Sequence, residues 1–429
     1  MRLHRTRALV PRVLLGIVLG FMLLSGATPA LASNGSPTGE QVQGRLVDGE
    51  GAPVAGVLVT ATGPDGQAGE AESDSDGRWE LPLPGPGTYE VAIDVDSLPD
   101  GVGIREDTPD SREVDVGEGQ QKNVLFSLGD AATSGSNWFT EFAQRLLDGI
   151  GFGALIGITA VGLSLIFGAT KLINFAHGEL VTLGAVITWA LNSTGLHVII
   201  AALIAVPIVG LLAAGMEMGF WRPMRRRGVN LVSMFIATIG VALIIRQLVV
   251  VFYGGTPQSY AQYSLQEELV LGPVGITPRD LVTMILSLLV LAGVGLLLTR
   301  TKIGTQIRAV ADNRILAEAS GIDSDRITVV VWVLGGSLAA IGGVFYGLQE
   351  LVSWNMGLNM LMLMFAAVIL GGLGNPFGAF VGAMVIGILA QLSTAFFDSE
   401  LQVVVALVLM ILTLLVRPQG ILGRSERVG

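Results

Sequence analysis

The sequence predicts an all-α polytopic membrane protein, with about nine spanning helices, some of them broken, preceded by a small extracytoplasmic β-sandwich. Three observations carry that expectation. Of 429 residues, 51% are apolar and only 14% charged, and mean hydropathy is +0.65; soluble domains carry roughly 25% charge. The apolar stretches are continuous and helix-sized, where an outer-membrane barrel would alternate. Charge is also unevenly divided: residues 33–130 hold 20 acidic and 5 basic groups, net −15, and the remainder 15 acidic and 20 basic, net +5.

Residues 1–32 have the layout of a secretory signal. Arg2, Arg5, Arg7 and Arg12 precede a short apolar run, and Ala30-Leu31-Ala32 offers small residues before a cut at Ser33. From Glu40 to Leu128 the period changes to two. Strands are expected at 41–47, 54–62, 77–83, 88–94, 112–116 and 123–128, separated by Gly/Pro/Asp turns. Six or seven strands in this length suggest a sandwich, assigned to residues 33–130. Glu72-Ser73-Asp74-Ser75-Asp76-Gly77 imitates the start of a calcium loop, but its twelfth position is Leu83 where a bidentate carboxylate is needed, so a hairpin turn is expected. The chain has no cysteine and three dispersed histidines, which argues against zinc, iron–sulfur and disulfide scaffolds.

A linker at 131–144 leads to the membrane part, 145–429. Spanning stretches are expected at 146–168, 172–191, 197–220, 230–252, 281–299, 328–349, 357–374, 376–397 and 401–416. Polar and glycine interruptions near 174–179 and 371–376 predict broken helices there. With the acidic domain outside, alternate loops place thirteen Lys/Arg inside, among them the Arg222–Arg227 cluster, and only Arg279 outside. That bias orients the C-terminus to the cytoplasm.

Asn174, His177 and Glu179 lie within six positions on an apolar background and are costly against lipid, so they should face protein or a wet route. Arg246, midway along its helix, must face a cavity, a carboxylate or backbone carbonyls. These four are the candidate lining of a translocation pathway. Glu217 is expected to pair with the neighbouring arginine cluster. The longest inner loop is helix-compatible from Thr305 to Ser320, with Arg308, Ala311, Ile315 and Ala319 close to one face and Gly321 as a stop. Gly371-Gly372-Leu373-Gly374 lacks the Gly-Lys-Ser/Thr of a phosphate loop, and no such loop occurs in the chain.

Two resemblances follow from these residues. Gly44-Arg45-Leu46-Val47, Pro53-Val54-Ala55-Gly56-Val57, Asp76-Gly77-Arg78-Trp79 and Pro86-Gly87-Thr88-Tyr89 resemble a carboxypeptidase regulatory-like domain, an accessory module; the segment has no histidine or cysteine for peptidase chemistry. Ile173-Asn174-Phe175-Ala176-His177-Gly178-Glu179-Leu180 resembles the signature of branched-chain amino-acid ABC transporter permeases of the LivH type. Supporting motifs run through 308–313, 317–322 and 369–379. That resemblance implies a plasma-membrane permease that is not an enzyme and has no cofactor of its own. ATP would be bound by two partner subunits. The other implied partners are a second permease subunit, hetero- or homodimeric, an extracytoplasmic substrate-binding protein and the lipid bilayer, with no nucleic acid. It also implies ATPase coupling through Arg308, Ala311, Ala317, Glu318, Ala319 and Gly321. The alternatives are a urea or short-amide permease of the same family and an ion-gradient-driven secondary transporter.

Overall fold

A computed structural model describes residues 40–47, 53–63, 66–99, 102–104, 110–116, 121–124, 126, 128–130, 138–263, 266, 269–272, 274–397, 401–417 and 419–423. The expected signal at 1–32 and most of the linker lie outside the described residues. The chain divides into two compact units, Ala30–Trp138 and a second from Phe139 onward.

The first unit is built of short strands: β1 (Gln41–Arg45), β2 (Leu58–Gly63), β3 (Gly66–Glu72), β4 (Arg78–Pro82), β5 (Gly87–Ile93), β6 (Val102–Ile104), β7 (Ser111–Val116), β8 (Gln121–Asn123) and β9 (Leu128–Asp130). One sheet runs β4-β1-β8 and another β3-β2-β5-β7, with β6-β9 as a separate pair. Alternation decides the inner face: in β4, Trp79 and Leu81 are buried while Arg78, Glu80 and Pro82 are exposed. They pack with Val42, Val59 and Val91 in one apolar core. Ser73 is buried there without penalty, because its hydroxyl donates to Val54 O and accepts from Val57 N. The calcium-like stretch is a turn, in which Asp74 Oδ1 accepts from the amides of Asp76 and Arg78.

Three details differ from expectation. The strand expected at 123–128 is divided into β8 and β9 in different sheets, β6 was not anticipated, and neither was β3. Its sequence, GQAGEAE, has no apolar alternation and gains its place by antiparallel pairing with β2. Trp79 anchors this core, 2% exposed, with Phe126 at 6.5 Å between ring centroids. Trp79→Ala is expected to destabilise this unit by about 3–5 kcal/mol, read as an earlier loss of protease resistance on heating the intact chain.

In the second unit each expected spanning stretch contains a helix, though those expected at 172–191, 357–374 and 376–397 are covered only by His177–Ser193, Met356–Gly371 and Pro376–Ser393. The helices are α1 (Trp138–Thr170), α2 (His177–Ser193), α3 (Val198–Met216), α4 (Arg222–Arg226), α5 (Leu231–Tyr253), α6 (Pro278–Arg300), α7 (Lys302–Asp312), α8 (Arg314–Ala319), α9 (Ser324–Gln349), α10 (Met356–Gly371), α11 (Pro376–Ser393) and α12 (Gln402–Val416). A π-helical turn at Glu217–Trp221 joins α3 to α4. Among the described residues, six stretches are long and apolar enough to cross a membrane: α1, α3 through α4, α5, α6, α9 and α11; α10 and α12 are shorter apolar helices. The breaks fall where polar and glycine residues interrupt the pattern, at residues 171–176 and 372–375. At the second, Asn375 caps α11 by accepting from the amides of Phe377 and Gly378.

α1 and α9 are mostly buried, and α5 and α6 mostly exposed. Glycine permits the closest approach in the interior. Gly178 at the start of α2 and Gly357 at the start of α10 meet backbone to backbone; a Cβ on Gly178 would lie 2.5 Å from Gly357 O. The Gly357 amide also donates to Thr182 Oγ1 at 3.1 Å.

Candidate functional site

The break after α1 places the polar motif. Lys171 ends the helix in a left-handed conformation, φ 56°, which is costly for a residue with a Cβ. Its Nζ donates to Ala311 O at 3.1 Å, joining the end of α1 to the last turn of α7. Asn174 then turns the chain into α2, its Oδ1 accepting from Ala176 N at 3.1 Å. His177 Nε2 lies 3.2 Å from Thr159 O on α1. Asn174, His177 and Glu179 are all buried.

Glu179 and Arg246, whose partners the sequence left open, face each other. Arg246 donates through Nε at 3.1 Å and Nη2 at 2.6 Å, both to Glu179 Oε1. Glu179 is 1% and Arg246 16% exposed. The other carboxylate oxygen, Glu179 Oε2, has no hydrogen-bond partner among the described residues, nor have Asn174 Nδ2 and His177 Nδ1.

This pair is the middle tier of a seam between α2 and α5. At one end Phe175 packs on Phe235 and on Phe365 of α10, and its amide donates to Thr238 Oγ1. At the other, Trp189 meets Tyr253 edge to face, 4.8 Å between centroids. Buried Tyr260 donates to Ala185 O, on α2 between Glu179 and Trp189; burial pushes its phenol above the ordinary range, so it stays a neutral donor. α2 is the chief packing partner of α5, and Ile236, Leu243, Ile244 and Val251 on α5 are exposed.

The coupling candidates occupy two helices instead of the single one expected from Thr305 to Ser320. Asn313 is extended, φ −153° and ψ 102°, and its side chain caps α8 by accepting from Leu316 N. Arg308, Ala311, Ile315 and Ala319 therefore do not continue one helical face. Arg308, Glu318 and Ala319 are exposed, Ala311 is half-buried, and Ala317 turns into the core. Gly321 does stop the helix, at φ +84°. Gly321 N donates to Glu318 O and Ile322 N to Ala317 O, the paired bonds that close a helix C-terminus. On α8, Ile315 is 81% and Leu316 64% exposed, an apolar knob unlike ordinary solvated surface.

One centre was missed by sequence reasoning. Asp325, in the first turn of α9, accepts from Arg222 and Arg226 of α4 and, at 2.6 Å, from Arg314 of α8. Arg314 also holds Glu318 one turn on. Glu217 pairs with Arg225, as its neighbourhood suggested. A cavity of about 390 Å³ lies here, with Lys171, Arg222, Arg226, Arg314 and Asp325 in its wall. The basic cluster was visible in the sequence; its common acidic partner, about a hundred residues away, was not.

Two known families match the chain, one in each unit. The profile of a family described as "Branched-chain amino acid transport system / permease component" matches residues 145–414, and that of a carboxypeptidase regulatory-like domain matches 41–129. The chain is similar to the high-affinity branched-chain amino acid transport system permease protein LivH of Escherichia coli K12, 30% identical over 309 residues, covering 68% of this chain and 98% of that protein. The corresponding permease BraD of Pseudomonas aeruginosa is 29% identical, covering 67% and 97%. The probable LivH of Methanocaldococcus jannaschii is 30% identical, covering 65% and 92%.

Proposed function

The chain belongs to the family of branched-chain amino acid transport permease components, and from that premise we propose that it is the membrane-spanning subunit of an ATP-driven importer of amino acids, branched-chain ones first. The observation that carries this reading is the family match over nearly the whole helical unit. Permeases of this family work in general with ATP-binding subunits and a substrate-binding protein. In our reading two ATP-binding subunits dock on the α7–α8 hairpin, where Arg308, Glu318 and Ala319 are exposed beside Ile315 and Leu316. Ala311, through Lys171, and buried Ala317 hold that hairpin to the spans, and Gly321 ends it. A second permease subunit covers outer faces of the helices, and the binding protein delivers substrate from outside. The protein is multi-pass in the plasma membrane, with the β domain outside and the C-terminus in the cytoplasm. Asn174, His177, Glu179 and Arg246 line the translocation pathway. ATP is bound and hydrolysed by the partners.

Uptake into vesicles carrying the assembled transporter tests this. Leucine accumulation is expected to require ATP; accumulation that survives ATP depletion with the proton gradient intact would establish an ion-driven carrier instead. In the same vesicles Glu318→Arg and Gly321→Pro are expected to lower uptake about tenfold or more while hydrolysis continues.

A further inference from the structure

The Glu179–Arg246 pair has features that a purely structural ion pair does not need. It joins two opposite charges inside an apolar seam, where a net charge is heavily penalised. Both guanidinium hydrogen bonds fall on one carboxylate oxygen, and the buried second oxygen has no partner among the described residues. The two ions sit on different helices, and α5 has its main packing partner in α2, so the pair lies in the interface that a movement of α5 against α2 would open.

We propose that this pair is the substrate-recognition centre of the pathway and that it selects α-amino acid zwitterions by ion-pair exchange. The proposal rests on the transport function above and names the substrate class of that same site. An α-amino acid carries an ammonium and a carboxylate on one carbon. Between the opened partners, its carboxylate takes the Arg246 guanidinium in a forked contact, and its ammonium takes Glu179, with Oε2 as a ready acceptor. Four charges then alternate, and the seam gains no net charge. A lone amine or a lone carboxylic acid leaves one charge in excess. A neutral amide such as urea separates the pair and returns only dipoles, which leaves two buried ions poorly matched. The remaining tiers, Phe175–Phe235–Phe365 and Trp189–Tyr253, offer the side chain aromatic surface, which suits branched aliphatic groups.

The test uses the full chain purified with its ATP-binding subunits and without the binding protein, so that only the membrane site discriminates. Binding is measured for leucine, leucinamide (cation), 4-methylpentanoate (anion) and 4-methylpentanamide (neutral). The unaltered complex is expected to prefer leucine by roughly tenfold or more over each analogue. Glu179→Gln is expected to move preference toward the anion, and Arg246→Gln toward the cation, by a similar factor in opposite senses. The double variant, neutral and therefore tolerant of insertion, is expected to favour the neutral amide. Equal weakening of all four ligands in every variant, or unchanged preference, overturns the proposal. ATP-dependent leucine uptake by the unaltered transporter is measured in parallel: its loss is a failure of the transport reading, and its presence with unmoved preferences is a failure of this inference alone.

Discussion

Asp325→Ala is expected to reduce transport more than tenfold while leaving the chain inserted and the ATPases active. The carboxylate is shared by Arg222, Arg226 and Arg314. Its removal leaves three guanidinium groups around one cavity with mutual repulsion and no common partner. Breaking one partly buried charge centre costs several kcal/mol, but Asp325 is 23% exposed, and screening by solvent brings the stability cost down to about 1–2 kcal/mol. The larger effect is mechanical. Asp325 ties α8, which carries the exposed knob, to α4 at the foot of the third helix, and without it the hairpin is expected to move while the spans stay still. The measurement is the ratio of leucine imported to ATP hydrolysed in vesicles. Asp325→Glu, which keeps the charge, is expected to restore much of that ratio, whereas Asp325→Asn is not. An unchanged ratio in Asp325→Ala would remove the mechanical role.

Gly357→Val is expected to be strongly destabilising to the helical unit. A Cβ at Gly357 would meet the carbonyl of Gly178, an atom that cannot turn aside. α2 and α10 must separate, which pulls on the Gly357–Thr182 hydrogen bond and on the buried motif beside it. Overpacking of this kind costs up to about 3 kcal/mol or more. The expected readout is a markedly lower Tm in detergent and a loss of monodisperse protein. Gly215→Ala is the matched control: nothing lies within 4 Å of the added carbon, and alanine's better helix propensity predicts an unchanged or slightly higher Tm.

The two variants mark the limit of what the sequence discloses. Span positions, the breaks near 171–176 and 372–375 and the burial of Asn174, His177 and Glu179 are all local consequences of apolar runs interrupted by polar residues. Which residues face each other is not local. Arg246 required some partner, and only the packing of α5 on α2 identifies it as Glu179. Asp325 is an unremarkable first-turn acid until the folded chain brings α4 and α8 to it. The single coupling helix failed on one residue, Asn313, which supports a helix interior less well than a cap and was taken by the following helix. β3 failed for the opposite reason: its pairing comes from its backbone, and its side chains give no pattern to read.

The knob formed by Ile315 and Leu316 has a consequence for how the cell manufactures the transporter. A newly made copy that has not met its companions carries two large oily groups into water, each tending to recruit chaperones, proteases or another such copy. Its lifetime before assembly is expected to be shorter than after it. The amount of chain that accumulates is then expected to follow the supply of companions, a dependence that pulse-chase labelling with and without co-expressed ATP-binding subunits would read.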